Sequence, residues 1–143
     1  GLFAAIFDVL RPGGTLHLEA PAPGNVDLVI ELLNELAARY SIPWESPFPD
    51  PVRTMELLEV TGFDITDESV GTRVTRRRFD RTQVAGMFRT QAVLMLTRQV
   101  DPGLALRITR DGLSELDRLR RHDGSFDQTF VRLEILVRRP LEA

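Results

Sequence analysis

The chain has 143 residues, 43% of them apolar, a net charge of −3 and no cysteine. That is enough apolar material for one ordinary core, and it excludes disulfides, thiolate metal sites and a cysteine nucleophile. All 18 basic residues are arginine, the charge is too mild to call for nucleic acid, and no apolar run approaches membrane-spanning length. A cytoplasmic protein with no membrane partner and no signal peptide is therefore expected.

Leu2, Phe3, Ile6, Val9 and Leu10 recur at helical spacing. Pro12 ends that helix, and Gly13-Gly14 supply a tight turn. From Thr15 to Ala20 the pattern alternates, Leu16 and Leu18 against His17 and Glu19, which predicts a strand. Asn25 reads as the N-cap of a second helix, with Val26, Val29, Ile30, Leu33, Leu36, Ala37 and Tyr40 as its apolar stripe. Pro43, Pro47 and Pro49 then exclude helix and central strand from Ser41 to Pro49, leaving a loop that carries Trp44 and Phe48.

Asp50-Pro51 starts a third helix and Gly62 stops it. Phe63 and Ile65 open a second strand with a polar continuation, Asp67-Glu68-Ser69, while Val70 to Arg78 is mixed and arginine-rich. Phe79 to Gln99 returns to helical spacing, with Val84, Met87, Phe88, Gln91, Met95 and Leu96 as its stripe. Asp101-Pro102 begins another helix through Leu104, Ile108, Leu116 and Leu119, with a break expected at Asp111-Gly112. His122-Asp123-Gly124 forms a turn, and Phe126 to Arg139 the longest strand, Val131, Leu133, Ile135 and Val137 sharing one face.

The stretch "VLRPGGTLHLEAP" resembles the helix–turn–strand leading into the fifth strand of class I S-adenosylmethionine-dependent methyltransferases. Pro43-Trp44 through Pro49, "MELLEVTGFDI" and "HDGSFDQTFVRLEILVRRP" are similar to the Trp-Phe-Pro loop, the helix-to-strand junction and the closing strand of the trans-aconitate methyltransferase-like subgroup. The resemblance covers both ends and the middle of the chain, and leaves about 73–121 unmatched. It implies an α/β fold: the C-terminal half of a Rossmann-like methyltransferase sheet, three strands with the last antiparallel and central. The helices from Phe79 to Arg121 are then an insertion over the site.

Such enzymes bind S-adenosyl-L-methionine on a glycine-rich turn after an acidic residue, and no acidic-x-Gly-x-Gly-x-Gly occurs here. With Gly1 already next to a helical pattern, the resemblance implies that the cofactor-binding half is absent, and that these residues bind the cofactor poorly if at all. The partner it implies is a small-molecule methyl acceptor, for which the subgroup points to a carboxylic acid. Methyl transfer needs an aligned acceptor, and a base only where the acceptor keeps a proton at neutral pH. A carboxylate needs no base, only cationic or hydrogen-bonding neighbours.

Candidate substrate-binding residues follow. Glu19 ends the first strand, where ligands bind in doubly wound sheets, and either orients an acceptor or is simply solvated or paired. Asn25 reaches the cleft or caps its helix. Trp44 walls a pocket or plugs the core. Arg77 stands in the densest basic patch, with Arg73, Arg76, Arg78 and Arg81, and Arg89 lies one helix face away; the alternative for all is solvated surface. His17 is a proton shuttle or an ordinary core residue, and the two histidines make no metal site.

Two other function classes compete. "LALRITRDGLSELDRLRR" resembles the strand-to-helix segment of winged-helix regulators, a reading in which the five clustered arginines, Arg73, Arg76, Arg77, Arg78 and Arg81, touch DNA phosphates. A non-catalytic interaction domain of methyltransferase shape is the third reading, since fold alone does not fix function. Neither residue pattern nor resemblance specifies an oligomeric state.

Overall fold

The computed structural model describes residues 1–142. Its elements are α1 (Leu2–Val9), β1 (Thr15–Pro21), α2 (Asp27–Arg39), α3 (Pro51–Thr61), β2 (Val70–Phe79), α4 (Arg81–Met87), α5 (Leu94–Leu96), α6 (Pro102–Glu115) and β3 (Phe126–Arg138). A π-helical turn, Phe88–Val93, joins α4 to α5, and a 3-10 turn, Leu116–Leu119, follows α6. The fold is mixed α/β, with one three-stranded sheet in the order β1-β3-β2. β1 runs antiparallel to β3, with Leu16 opposite Val137 and Leu18 opposite Ile135. The last strand in sequence is thus the middle one, as expected. No helix among the described residues is long and apolar enough to cross a membrane.

The chain divides into two compact units, through both of which β2 and β3 run. The first comprises Gly1–Asn25, Phe48–Val74 and 131–142; the second comprises Val26–Pro47 and Thr75–Phe130. In the first unit Val131, Leu133, Ile135 and Val137 form a buried core with Ala22, Leu58 and Phe63, and the inner sides of α1 and β1 pack against it. Each such aliphatic side chain contributes about 1.5–3 kcal/mol when fully buried. Phe7 of α1 meets Phe63 edge to face at 5.0 Å.

The end of α1 is held from far along the chain. α1 has no basic residue in its last turn, so its terminal carbonyls lack a local cation. Arg139 supplies one: Nη1 donates to the Phe7 and Leu10 carbonyls, both at 2.8 Å. The guanidinium also stacks over the Phe7 ring, 4.7 Å from its centroid. Beside it Gly13 donates to the Arg139 carbonyl and Arg139 to the Gly14 carbonyl, which fastens the Pro-Gly-Gly turn to the end of β3.

In the second unit α2 packs on α6, and both meet the π-helical turn. Gly112 lies inside α6, not at a break. A Cβ there would stand 2.2 Å from two ring atoms of fully buried Phe88 and 3.2 Å from a Leu36 methyl, so only glycine lets the helix come this close. The segment that resembles the winged-helix signature is likewise continuous helix, α6, followed by the 3-10 turn.

Three further elements differ from expectation. α2 starts at Asp27 with Val26 as its cap, and Asn25 makes no capping bond. Phe63–Ile65 is not a strand: Asp64 makes one isolated bridge to Arg138, and the second strand is instead the arginine-rich Val70–Phe79. Phe79 to Gln99 is not one α-helix. The π-helical turn intervenes, and the buried set becomes Val84, Ala85, Phe88, Ala92, Val93 and Leu96.

Candidate functional site

The carboxyl end of β1 is where ligands gather in doubly wound sheets, and two of the predicted residues stand there. Glu19 lies directly opposite Glu134 on β3. Arg73 of β2 bridges both, with Nη2 3.7 Å from Glu19 and 3.2 Å from Glu134. The arginine offsets what would otherwise be a repulsive cross-strand pair, so the Glu19 carboxylate is ion-paired on the sheet surface.

Asn25 is 8% exposed, and its Oδ1 accepts from the Val131 N–H at 3.0 Å. It occupies the position a strand partner would hold, one step beyond the bond from Ala22 N–H to the Val131 carbonyl. In the second unit Asp27 does the same for β3: its Oδ1 accepts from Thr129 N–H at 2.8 Å and from Leu28 N–H at 2.9 Å. The fully buried Gln128 also accepts from Leu28 through Oε1. Val26, between the two, adopts a left-handed conformation (φ 47°, ψ 45°) that is rare for a β-branched residue.

Trp44, half-buried, donates from Nε1 to Asn34 Oδ1 at 2.6 Å, which pins the proline-rich loop to α2. Arg77 on β2 and Arg89 in the π-helical turn are exposed and form no ion pair among the described residues. Their neighbours differ: Arg78 lies 3.6 Å from Asp123 and 3.5 Å from Asp127, and Arg81 lies 3.0 Å from Asp117. Glu19 and Asn25 belong to the first unit, and Trp44, Arg77 and Arg89 to the second, so neither unit gathers all five.

Three concavities stand out. One of about 440 Å³ in the second unit is lined by Pro47, Thr90, Gln91, Leu94, Met95, Arg98 and Gln99. Another of about 540 Å³ in the first unit is lined by Thr15, Asp64, Thr66, Ser69, Leu136, Val137 and Arg138. A third, about 290 Å³, lies by Arg78, Asp80 and the turn Asp123–Ser125. There the Ser125 hydroxyl and N–H, with Arg121 and Arg78 nearby, hold the Asp123 carboxyl below the usual carboxylate range. Elsewhere the hydrogen bond to Asp111 raises the Tyr40 phenol, and the Arg39 hydrogen bond lowers the Glu115 carboxyl. Among the described residues no three histidine or acidic side chains come together as a metal site. Arg98, Leu94 and Gln99 carry no sequence signal that marks them as site residues.

The cofactor implied by the resemblance needs an open glycine cradle at a strand-to-helix turn. The turn after β1 holds Gly24 in a positive-φ conformation (φ 90°), but its open side faces Val131, whose Cγ2 would lie 3.3 Å from a Cβ at this position. The turn after β2 is the Asp80 capping box and has no glycine. The residues present do not fit that group.

No protein-family model matches the sequence, and no curated protein matches it. Solved structures do. One, assigned as a methyltransferase from Bacillus halodurans C-125, aligns over 96% of this chain and 56% of its own at 12% identity, with a TM-score of 0.44. A second, assigned as a sarcosine dimethylglycine methyltransferase from Galdieria sulphuraria, aligns over 97% of this chain and 46% of its own at 15% identity and a TM-score of 0.35. The chain spans about half the length of these structures.

Proposed function

We propose that this chain is the acceptor-side half of an S-adenosylmethionine-dependent methyltransferase acting on a small molecule, a carboxylic acid by the subgroup its loop and closing strand resemble. The observation that carries the reading is the strand order. A helix, a Pro-Gly-Gly turn and a strand are followed by two more strands, the last of which enters between its predecessors. β1 pairs with β3 antiparallel over seven residues. That is the arrangement the resemblance implies for the closing part of a class I methyltransferase sheet.

Two further features support it. β1 has a strand partner on one side only, and an unpaired edge of this length invites another strand. α1, beside it in sequence, is strongly apolar yet has no fully buried residue, and Leu2 and Val9 stand exposed. Both suit a sheet that continues beyond β1 with the glycine-rich turn these residues lack. On this reading the chain's own residues bind and orient the acceptor. A carboxylate acceptor is already ionised at neutral pH and asks for no general base.

The test uses the full-length gene product containing this chain, incubated with methyl-labelled S-adenosylmethionine and a set of small carboxylic acids and amines. Labelled methyl esters are expected. Absence of methyl transfer to every small molecule in the set refutes the enzymatic reading and leaves the interaction domain. Calorimetry of this chain with S-adenosylmethionine is expected to give no specific heat. A micromolar affinity would show that the cofactor grip lies within these residues after all.

A further inference from the structure

The π-helical turn rearranges the surface of the second unit. In a regular helix, the spacing from Val84 and Phe88 would carry Gln91 and Met95 to the core side. Ala92 and Leu96 keep the four-residue spacing from Val84 and Phe88, and the wider turn from Phe88 to Val93 adds a residue to the circuit and brings Val93 into the buried set with them. Gln91 is exposed, Met95 is half-buried, and Leu94 is left 62% exposed. Thr90 is fixed by its own hydroxyl, which donates to the Gly86 carbonyl at 2.8 Å. With Pro47 of the loop, these residues border the 440 Å³ concavity.

Its lining has a definite chemistry. Pro47, Leu94 and Met95 make an apolar wall. Gln91 and Gln99 bring amides, and Arg98 is the single charged residue, with no carboxylate in the lining and no ion pair to Arg98 among the described residues. A lining that combines one guanidinium, two amides and apolar side chains complements a planar anion on an apolar body. The volume falls within the range of small-molecule pockets, and π-helical turns recur at functional sites.

We infer that this concavity is a binding site for a small organic anion, a carboxylate attached to an apolar body, with Arg98 meeting the carboxylate and Leu94 and Met95 the body. The inference does not rest on methyl transfer: binding here is measurable on this chain whether or not the full protein is a methyltransferase. Arg98, Leu94 and Met95 would set which acids are accepted, although in the sequence Met95 reads only as part of a core stripe.

The experiment titrates the chain with 4-phenylbutanoate, its neutral isostere 4-phenylbutanol and the cation 4-phenylbutylamine, by calorimetry and ligand-observed NMR. The acid is expected to bind saturably, the alcohol several-fold more weakly and the amine not at all. Arg98→Gln should weaken the acid about tenfold, the loss of one charge-assisted contact, and leave the alcohol unchanged. Leu94→Ser should weaken acid and alcohol alike. Both positions are exposed, so the melting temperature serves as a check that each variant is folded. No saturation by the acid below about 10 mM, equal binding of acid and amine, or acid binding that Arg98→Gln leaves intact would each overturn the assignment. A failure of methyl transfer in the full-length protein would not touch it.

Discussion

Replacing Gly112 by alanine sets two opposing effects against each other, and the geometry decides the winner. In the interior of α6, alanine is favoured over glycine by about 1 kcal/mol on helix propensity. The added methyl, however, would stand 2.2 Å from Cε1 and Cζ of Phe88 and 3.2 Å from Leu36 Cδ1. Carbon atoms rest about 3.5–4.0 Å apart, so the ring or the helix must retreat by roughly 1.3 Å or more. Phe88 is fully buried, and protein interiors are close-packed, so a shift of the ring displaces its neighbours. Overpacking of this kind costs about 1–3 kcal/mol, and the depth of the overlap places it near the upper end. The net effect is a destabilisation of about 2 kcal/mol, or a fall in melting temperature of about 8 °C for a chain of this size. Urea and thermal denaturation of G112A, F88L and the double variant measure it. Because Phe88→Leu removes the atoms that collide, the double variant should be at least about 1 kcal/mol more stable than the sum of the single effects. A G112A variant more stable than the parent, or simple additivity, would refute the close-approach argument.

Arg139→Met should lower stability by about 2 kcal/mol, because it removes two carbonyl bonds and the cation from the end of α1, and Arg139→Lys should restore only part of it, both read by chemical denaturation. Asn25→Ala should cost about 1–3 kcal/mol by leaving the buried Val131 N–H without its acceptor, whereas Asn25→Asp, which keeps that acceptor oxygen, should melt closer to the parent. The folded-state pKa of Glu115 lies below its ordinary value through Arg39, so its stabilising effect is present above the unfolded value and is lost as pH falls through the folded one. Melting temperatures between pH 7 and 3 should therefore fall less steeply for Glu115→Gln than for the parent. Arg73→Ala should destabilise modestly, by up to about 1 kcal/mol and more at low salt than at high, since it exposes Glu19 and Glu134 to each other.

What can be read in the sequence follows from the range of the forces involved. Helix ends written in local chemistry are legible: Asp50-Pro51 caps α3, Gly62 ends it at φ 107°, and Asp101-Pro102 opens α6. β3 is legible because Val131, Leu133, Ile135 and Val137 recur at every second position, with Arg132, Glu134 and the exposed Leu136 between them. β2 is not, because its residues from Gly71 to Arg78 are exposed on both faces, and a strand that buries neither face leaves no alternation to detect. The π-helical turn is equally hidden. The stripe through Gln91 and Met95 satisfies a regular helix, and only packing against α2 and α6 selects the wider turn. Asn25 resembles a cap in sequence because capping is local, while its partner is 106 residues away. Of the candidate residues, Glu19 lies on β1 two residues before its end and Trp44 in the proline-rich loop, and each has a partner of its own, Arg73 and Asn34.

β3 itself explains why one strand serves two units. Phe126 and Gln128 are its buried residues in the second unit, on even positions, whereas Val131, Leu133, Ile135 and Val137 are buried in the first, on odd ones. The parity changes across Thr129 and Phe130, next to the unit boundary. There β1 has already ended, its last partner being Arg132, and two N–H groups of β3 would otherwise lack a ladder. Asp27 takes the Thr129 N–H and Asn25 takes that of Val131. Both side chains are thus committed to the backbone by the strand's own unfinished pairing. That weighs against the carboxylate of Asp27 and the Oδ1 of Asn25 as groups free to hold a substrate. It also agrees with a ligand site made of side chains the fold does not use, as Arg98 and Leu94 are.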